Sequence, residues 1–225
     1  MFNRIKLKSM KFIRISFLLF FCIGINAVTV DTGHANVSLV KFENVQGVKN
    51  KTLLGIRMDM QENWHTYWKN PGDSGGPIKV EWSHDDNISI SDLYWPTPSL
   101  IPYEPLMTYG YKNFVIFPFE IINSNNKNSF IEASIDFLIC DDICVPEKAF
   151  IKTNLQEIET DNLLYDWFLK VPAQTLPIKA SLDRDYINIR FSSPFNVTSA
   201  IFFVDNQNIV NHASDQTLTK EENNY

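Results

Sequence analysis

The chain has 225 residues, a formal net charge of −6 and an apolar fraction of 44%, with 17 Phe, 8 Tyr and 5 Trp. That is enough apolar and aromatic side chain to bury a core, which excludes wholesale disorder, and enough length for one full domain plus part of another. The acidic balance disfavours nucleic acid and anionic membrane surfaces as partners.

The first residues stand apart. Arg4, Lys6, Lys8, Lys11 and Arg14 form a basic stretch without an acid, and Ile15 to Ile25 is an apolar run. Ala27, and then Gly33-His34-Ala35, offer small-residue cleavage sites. This pattern predicts a secretory signal peptide over residues 1–35, cleaved after 27 or after 35; the alternative is an uncleaved N-terminal anchor. Cys22 lies in the apolar run behind Phe20 and Phe21, which are too bulky for a lipoprotein box, so it is expected to leave with the peptide. Cleavage after 27 removes five basic residues and no acidic one. Fifteen basic residues then face twenty-six acidic ones, a net charge of −11. Two cysteines remain, Cys140 and Cys144, and a close pair in an exported chain is a disulfide candidate.

Val37 to Glu43 reads as the first strand of the remainder. Leu53 to Met60 alternates, with Leu54, Ile56, Met58 and Met60 on one face and Arg57 and Asp59 on the other, as in a half-buried antiparallel strand. Trp64-His65-Thr66-Tyr67-Trp68 is followed by residues 69–77, whose Pro and Gly content predicts a loop. Ile78 to Trp82 is a strand with Ile78, Val80 and Trp82 inward. Tyr94 to Pro105 carries Pro96, Pro98, Pro102 and Pro105 and is expected to be an extended loop rather than a central strand. Leu106 to Tyr111 is expected to be a short aromatic turn leading into a strand over Phe114 to Ile122, and Asn123 to Ser129 a polar hairpin loop. Ile131 to Cys140 and Val145 to Leu155 then pair as a hairpin. A helix over Asp161 to Lys170 and strands at Ile178 to Leu182, Tyr186 to Phe191 and Ala200 to Val204 complete the chain. The predicted fold class is all-β. An immunoglobulin-like sandwich over 36–156 is followed by a short helix and a small or incomplete second β unit over 157–225.

The cysteine hairpin carries the chemistry. Ile131, Ala133, Ile135, Phe137 and Ile139 share the core face, so Cys140 points away from the core. If Asp141-Asp142-Ile143 is a three-residue turn, Cys140 and Cys144 flank it within disulfide range. So short a loop stabilises little in the chain-entropy picture, which favours a redox role over a structural staple, the alternative. Asp136, Asp141, Asp142 and Glu147 surround the pair, with only Lys148 opposing them. Negative charge disfavours thiolate, so the pair suits a disulfide that waits for a partner's activated thiolate and then passes electrons onward.

These segments together resemble a known family. Trp64-His65-Thr66-Tyr67-Trp68, Asn70-Pro71-Gly72-Asp73-Ser74-Gly75 and Cys140-Asp141-Asp142-Ile143-Cys144-Val145-Pro146-Glu147 are similar to the N-terminal periplasmic domain of the DsbD-type thiol:disulfide interchange proteins. The match spans roughly Val37 to Leu155. The resemblance implies an immunoglobulin-like fold and a cofactor-free protein-disulfide reductase component. It implies electrons taken from the thioredoxin-like domain of a membrane electron transporter, here a separate chain. They would pass to periplasmic disulfide isomerases or cytochrome-maturation proteins. It makes Cys144 the cysteine attacked in mixed disulfides and Cys140 its resolving partner. It places the family's cap loop on Leu106, Met107, Thr108, Tyr109 and Gly110, and His65 and Tyr67 where aromatics pack near the disulfide. Two departures stand out: three residues separate the cysteines where the best-known members have five, and Thr108 replaces the cap phenylalanine.

Other motifs weigh less. Gly72-Asp73-Ser74-Gly75-Gly76-Pro77 spells the nucleophile motif of trypsin-like proteases, but only His34 and His65 precede Ser74 and too little chain lies before it for a first barrel. A turn rich in Gly and Pro accounts for it. Trp64, Tyr67 and Trp68 are expected to pack rather than to form a ligand platform. The rival of another class is a non-catalytic exported module with a structural disulfide, binding a protein partner or holding Cu(I) through Cys140, Cys144, His65 and Met107. The four Asn-x-Ser/Thr sequons at Asn36, Asn50, Asn87 and Asn196 matter only in a eukaryotic secretory pathway.

Overall fold

The computed structural model describes residues 29–42, 51–122, 129–173 and 177–220. The expected signal peptide up to residue 28, Glu43, the sequon at Asn50 and the hairpin loop over 123–128 lie outside the described residues. In chain order the elements are β1 (Thr29–Asp31), β2 (Ala35–Phe42), β3 (Lys51–Met60), β4 (His65–Gly72), β5 (Lys79–His84), β6 (Ser89–Ile90), β7 (Ser99–Tyr103), β8 (Leu106–Lys112), β9 (Phe114–Ile122), β10 (Phe130–Cys140), β11 (Cys144–Asn154), β12 (Glu159–Thr160), α1 (Leu163–Phe168), β13 (Ile178–Asp183) and β14 (Tyr186–Phe191).

Two sheets face each other. One runs β1-β2-β3-β9-β6, with β12 added beside β2; the other runs β11-β10-β4-β8-β7, with β5 also on β10. Alternation drives the packing. Ile131, Ala133, Ile135 and Ile139 of β10 and Ile56 and Met58 of β3 are fully buried, as are Phe117 and Val115 of β9, which pair with Ile56 and Met58. Each of these side chains other than Ala133 contributes about 1.5–3 kcal/mol relative to exposure. This is the all-β, immunoglobulin-like sandwich that the alternation predicts.

Several elements differ from the sequence reading. The Pro- and Gly-rich run after Trp68 does not leave the sheet at once: β4 continues to Gly72 through a register shift against β8 between Tyr67 and Gly72. The four-proline segment contains β7, and its Pro102 is tolerated because β7 is the edge strand of its sheet. Residues 106–112 are not a turn but β8, hydrogen-bonded on both sides, by β4 and by β7. Residues 200–204 form no strand. The Val204 carbonyl accepts a hydrogen bond from Asn70 Nδ2 (2.5 Å) instead of joining a ladder.

The core extends past residue 156. Ile158, Leu164 and Trp167 belong to the same buried cluster as the sandwich, and β12 pairs with β2. α1 lies over β3 and β9 because Gly55 leaves room: a Cβ there would come within 2.4 Å of Ile116 Cγ2 and 2.7 Å of Leu164 Cδ1. Farther on, β13 and β14 form a mostly exposed hairpin in which Ile189 and Phe191 are half-buried. The segment after it returns to the sandwich. Phe203 meets Trp68 and Tyr109 edge-on, and His212 Nδ1 lies 3.0 Å from the Tyr109 hydroxyl.

Candidate redox site

β10 and β11 pair without interruption from Phe130↔Asn154 to Cys140↔Cys144. Asp141, Asp142 and Ile143 make the turn, closed by the Asp141 amide donating to the Ile143 carbonyl at 3.1 Å. The two cysteines are thus a cross-strand pair at the end of the ladder. They form a disulfide of 2.05 Å with Cα atoms 4.2 Å apart. The sulfurs differ in access. Cys144 is exposed, whereas Cys140 is 1% exposed. Facing away from the core therefore does not expose Cys140, because a second layer covers it.

That layer begins with β4. His65 is in register with Cys140 on one side and with Lys112 on the other. Tyr67, two residues along, shares its face. The Tyr67 hydroxyl lies 2.7 Å from Cys140 Sγ and 3.3 Å from Cys144 Sγ. Tyr67 and Cys140 are both buried yet stand outside the sandwich core, which places them on the opposite face of the sheet. Burial pushes the Tyr67 phenol above its ordinary pKa, so it remains a protonated donor. His65 meets the Tyr67 ring edge-on at 5.3 Å. Its pKa is lowered, first by burial and then by Lys112, with Asp141 opposing, so the imidazole is neutral at neutral pH.

Over Tyr67 lies the loop that joins β4 to β5. Gly75 sits against the face of the Tyr67 ring: a Cβ there would fall 2.1, 2.3 and 2.5 Å from Cε1, Cζ and Cδ1. Its φ of +97° is also a conformation that suits glycine. At Gly76, by contrast, the nearest atom to a Cβ would be Leu138 Cδ1 at 3.4 Å.

Leu106, Met107, Thr108 and Tyr109 all lie on β8. Thr108 is opposite Gly72, and the following Gly110 is opposite Tyr67. Tyr109 belongs to the sandwich core and Met107 packs against it, facing away from the disulfide. The Thr108 hydroxyl donates to the Ile101 carbonyl (2.9 Å), and Leu106 pairs with Tyr103 at the β7–β8 turn. None of the four is hydrogen-bonded to a sulfur. Their link to the site is indirect. The Met107 amide donates to Asp73 Oδ2 (2.8 Å) and the Asp73 amide to the Met107 carbonyl (3.0 Å), which fixes the start of the loop over Tyr67. Met107 on the core face is separated by the sheet from Cys140, Cys144 and His65, so these four do not converge as copper ligands. Among the described residues, no group of three or more His, Cys, Asp or Glu side chains is gathered as a metal site.

The charges also resolve differently. Asp136 is paired with Lys148 at 3.0 Å. Glu147 is opposite Phe137, on the core face, and its side chain is 5% exposed. It accepts hydrogen bonds from Thr32 Oγ1, from the His34 amide (3.1 Å) and from His34 Nδ1 (2.5 Å). Asp141 and Asp142, both exposed, remain as the acids of the turn itself. Gly75 and the hold on Glu147 escaped the sequence reading. The Gly75-Gly76 doublet was the available signal for the first; contacts over 113 residues left none for the second.

The class that this fold and site define is the β-sandwich thiol:disulfide interchange domain. More narrowly, the chain belongs to the family described as "Thiol:disulfide interchange protein DsbD, N-terminal", whose model matches residues 37–155. Among solved structures it is similar to the N-terminal periplasmic domain of ScsB from Proteus mirabilis, with 19% identity and a TM-score of 0.58 over 75% of this chain and 69% of that one. That likeness is one of fold. No curated protein matches the chain.

Proposed function

We propose that the chain is an exported, periplasmic relay domain that exchanges disulfides through Cys140 and Cys144. Its electrons come from the thioredoxin-like domain of a membrane transporter on a separate chain, and they go to periplasmic disulfide isomerases or cytochrome-maturation proteins. The observation that carries this reading is the unequal pair: one exposed sulfur, and one buried under a phenol that donates to it.

The chemistry follows from that inequality. A partner thiolate attacks Cys144 Sγ, the accessible atom. The Cys140–Cys144 bond breaks, and its electron pair leaves on Cys140 Sγ, where the Tyr67 O–H stabilises the thiolate by a charge-assisted hydrogen bond. The partner's second thiolate then attacks its own sulfur in the mixed disulfide and releases Cys144. Two electrons have moved, and the protons lost by the partner's thiols are taken up by Cys140 and Cys144. In the onward step the Cys144 thiolate attacks an acceptor disulfide and Cys140 resolves it.

The test is trapping. With Cys140→Ser and Cys144 free, a thioredoxin-like protein should be captured as a mixed disulfide resolvable by dithiothreitol. Failure to capture any such partner from a periplasmic extract would remove the relay reading.

A further inference from the structure

The loop between β4 and β5 has the composition of an ordinary turn, yet Gly75 makes the tightest approach in the site. It lies on the Tyr67 ring over Cε1 and the neighbouring Cζ, which bears the hydroxyl, and that hydroxyl is the polar group on both sulfurs. The loop does not hang freely over the ring. Its first residue is tied to β8 by two hydrogen bonds between Asp73 and Met107. The Tyr67 backbone is fixed in the sheet, paired with Gly110 of β8. The phenol is therefore held from the loop side by a glycine backbone, with its hydroxyl on the two sulfurs.

We propose that Gly75 is a positioning residue for disulfide exchange: its bare backbone sets the Tyr67 hydroxyl on Cys140 Sγ and so determines how readily Cys140 departs as a thiolate. A side chain at 75 must displace the ring, and displacement of the ring withdraws the donor from the leaving sulfur. The effect on exchange is the effect of losing Tyr67's hydroxyl. The inference rests on the exchange chemistry above but not on the identity of any partner.

The test uses dithiothreitol as the attacking thiol on the full oxidised chain, so no partner is needed. Tyr67→Phe removes the hydroxyl from the departing thiolate and should slow reduction about tenfold, the scale of a hydrogen bond to a charged group. Gly75→Ala should slow it by a similar factor, and the double variant should be no slower than either single one, because both changes remove one interaction. Gly76→Ala, where a Cβ has room, should reduce at the wild-type rate.

In the reduced protein, with Cys144→Ser as background so that Cys140 is the thiol observed, the same variants should raise the pH at which Cys140 ionises, read from the ultraviolet absorbance of the thiolate, which needs no reagent to reach the sulfur. A merely structural glycine would leave that pH unchanged. Asp73→Ala, which keeps every glycine and removes one of the two hydrogen bonds that tie the loop to Met107, supplies a second route if Gly75→Ala does not fold, with an expected slowing of about threefold from one lost hydrogen bond. A wild-type rate in Gly75→Ala, a double variant whose slowing is the product of the two single ones, or a wild-type rate in Asp73→Ala when Gly75→Ala is unfolded would each overturn the proposal. If these results hold and no thioredoxin-like partner is trapped, the positioning role stands and the relay reading falls.

Discussion

Glu147 and His34 meet at 2.5 Å across 113 residues of chain, and this contact ties the cysteine hairpin to the N-terminal turn. His34 in turn stacks on Trp64 at 3.8 Å, next to the residue that pairs with Cys140. The hairpin is thus braced from its core side three residues beyond Cys144, while its other face carries the sulfurs.

Loss of this brace should be costly because the Glu147 carboxylate is nearly buried and accepts from three donors. Glu147→Ala leaves the two His34 donors without their acceptor and Thr32 with the Ala35 carbonyl, and should destabilise the fold by about 1–3 kcal/mol, measured by urea unfolding. Deletion of residues 1–35 should have a comparable effect, since it removes Thr32 and His34 together with β1. By the same argument the expected export cleavage falls after 27 rather than 35, and N-terminal sequencing of the exported protein should find residue 28 first. A mature chain that starts at residue 36 with undiminished stability would contradict both expectations.

The unequal burial of the sulfurs predicts unequal trapping. Cys140→Ser should yield mixed disulfides through Cys144, whereas Cys144→Ser, with its remaining sulfur beneath Tyr67, should yield few or none. The reduction potential of the pair should lie within reach of thioredoxin-like partners, roughly −180 to −270 mV. Titration against glutathione or dithiothreitol with thiol counting measures it, and a value well below about −300 mV would mark a staple.

α1 should prove part of the sandwich. Leu164 is fully buried against it, so Leu164→Ala should cost about 2–5 kcal/mol in chemical unfolding. Gly55→Ala should also destabilise, because its Cβ meets Ile116 and Leu164 at once. If the helix were an appendage, neither change would shift the main unfolding transition.

His65 should make stability fall in mild acid. Its pKa is lower folded than unfolded, so the unfolded chain binds the proton first as pH drops. The contribution of neutral His65 is fully present above the unfolded value of about 6.5 and is lost as pH falls from there toward the depressed folded value. Unfolding midpoints at pH 7.5 and 5.5 should therefore differ more in the wild type than in His65→Gln. Equal differences would show that His65 does not titrate as its surroundings dictate.

The fold class and the pair itself were readable from local pattern. Period-two alternation in 53–60 and 131–139 assigned strands and faces, and parity with a three-residue turn brought Cys140 and Cys144 together, because both arguments need only neighbours along one hairpin. Local composition misled where neighbours decide: prolines placed 94–105 in a loop, although an edge strand admits Pro102, and the aromatic run 106–111 became a strand once β4 and β7 flanked it. Tertiary structure alone decided which sulfur is covered, what covers it and which acids face it. Leu106 to Tyr109 lie on a strand whose Met107 and Tyr109 face the core, Gly75 folds back onto Tyr67 from beyond a bulge, and Glu147 turns to the N-terminal segment. Each of these is a contact between segments distant in sequence, and no spacing rule along the chain encodes which of them will meet.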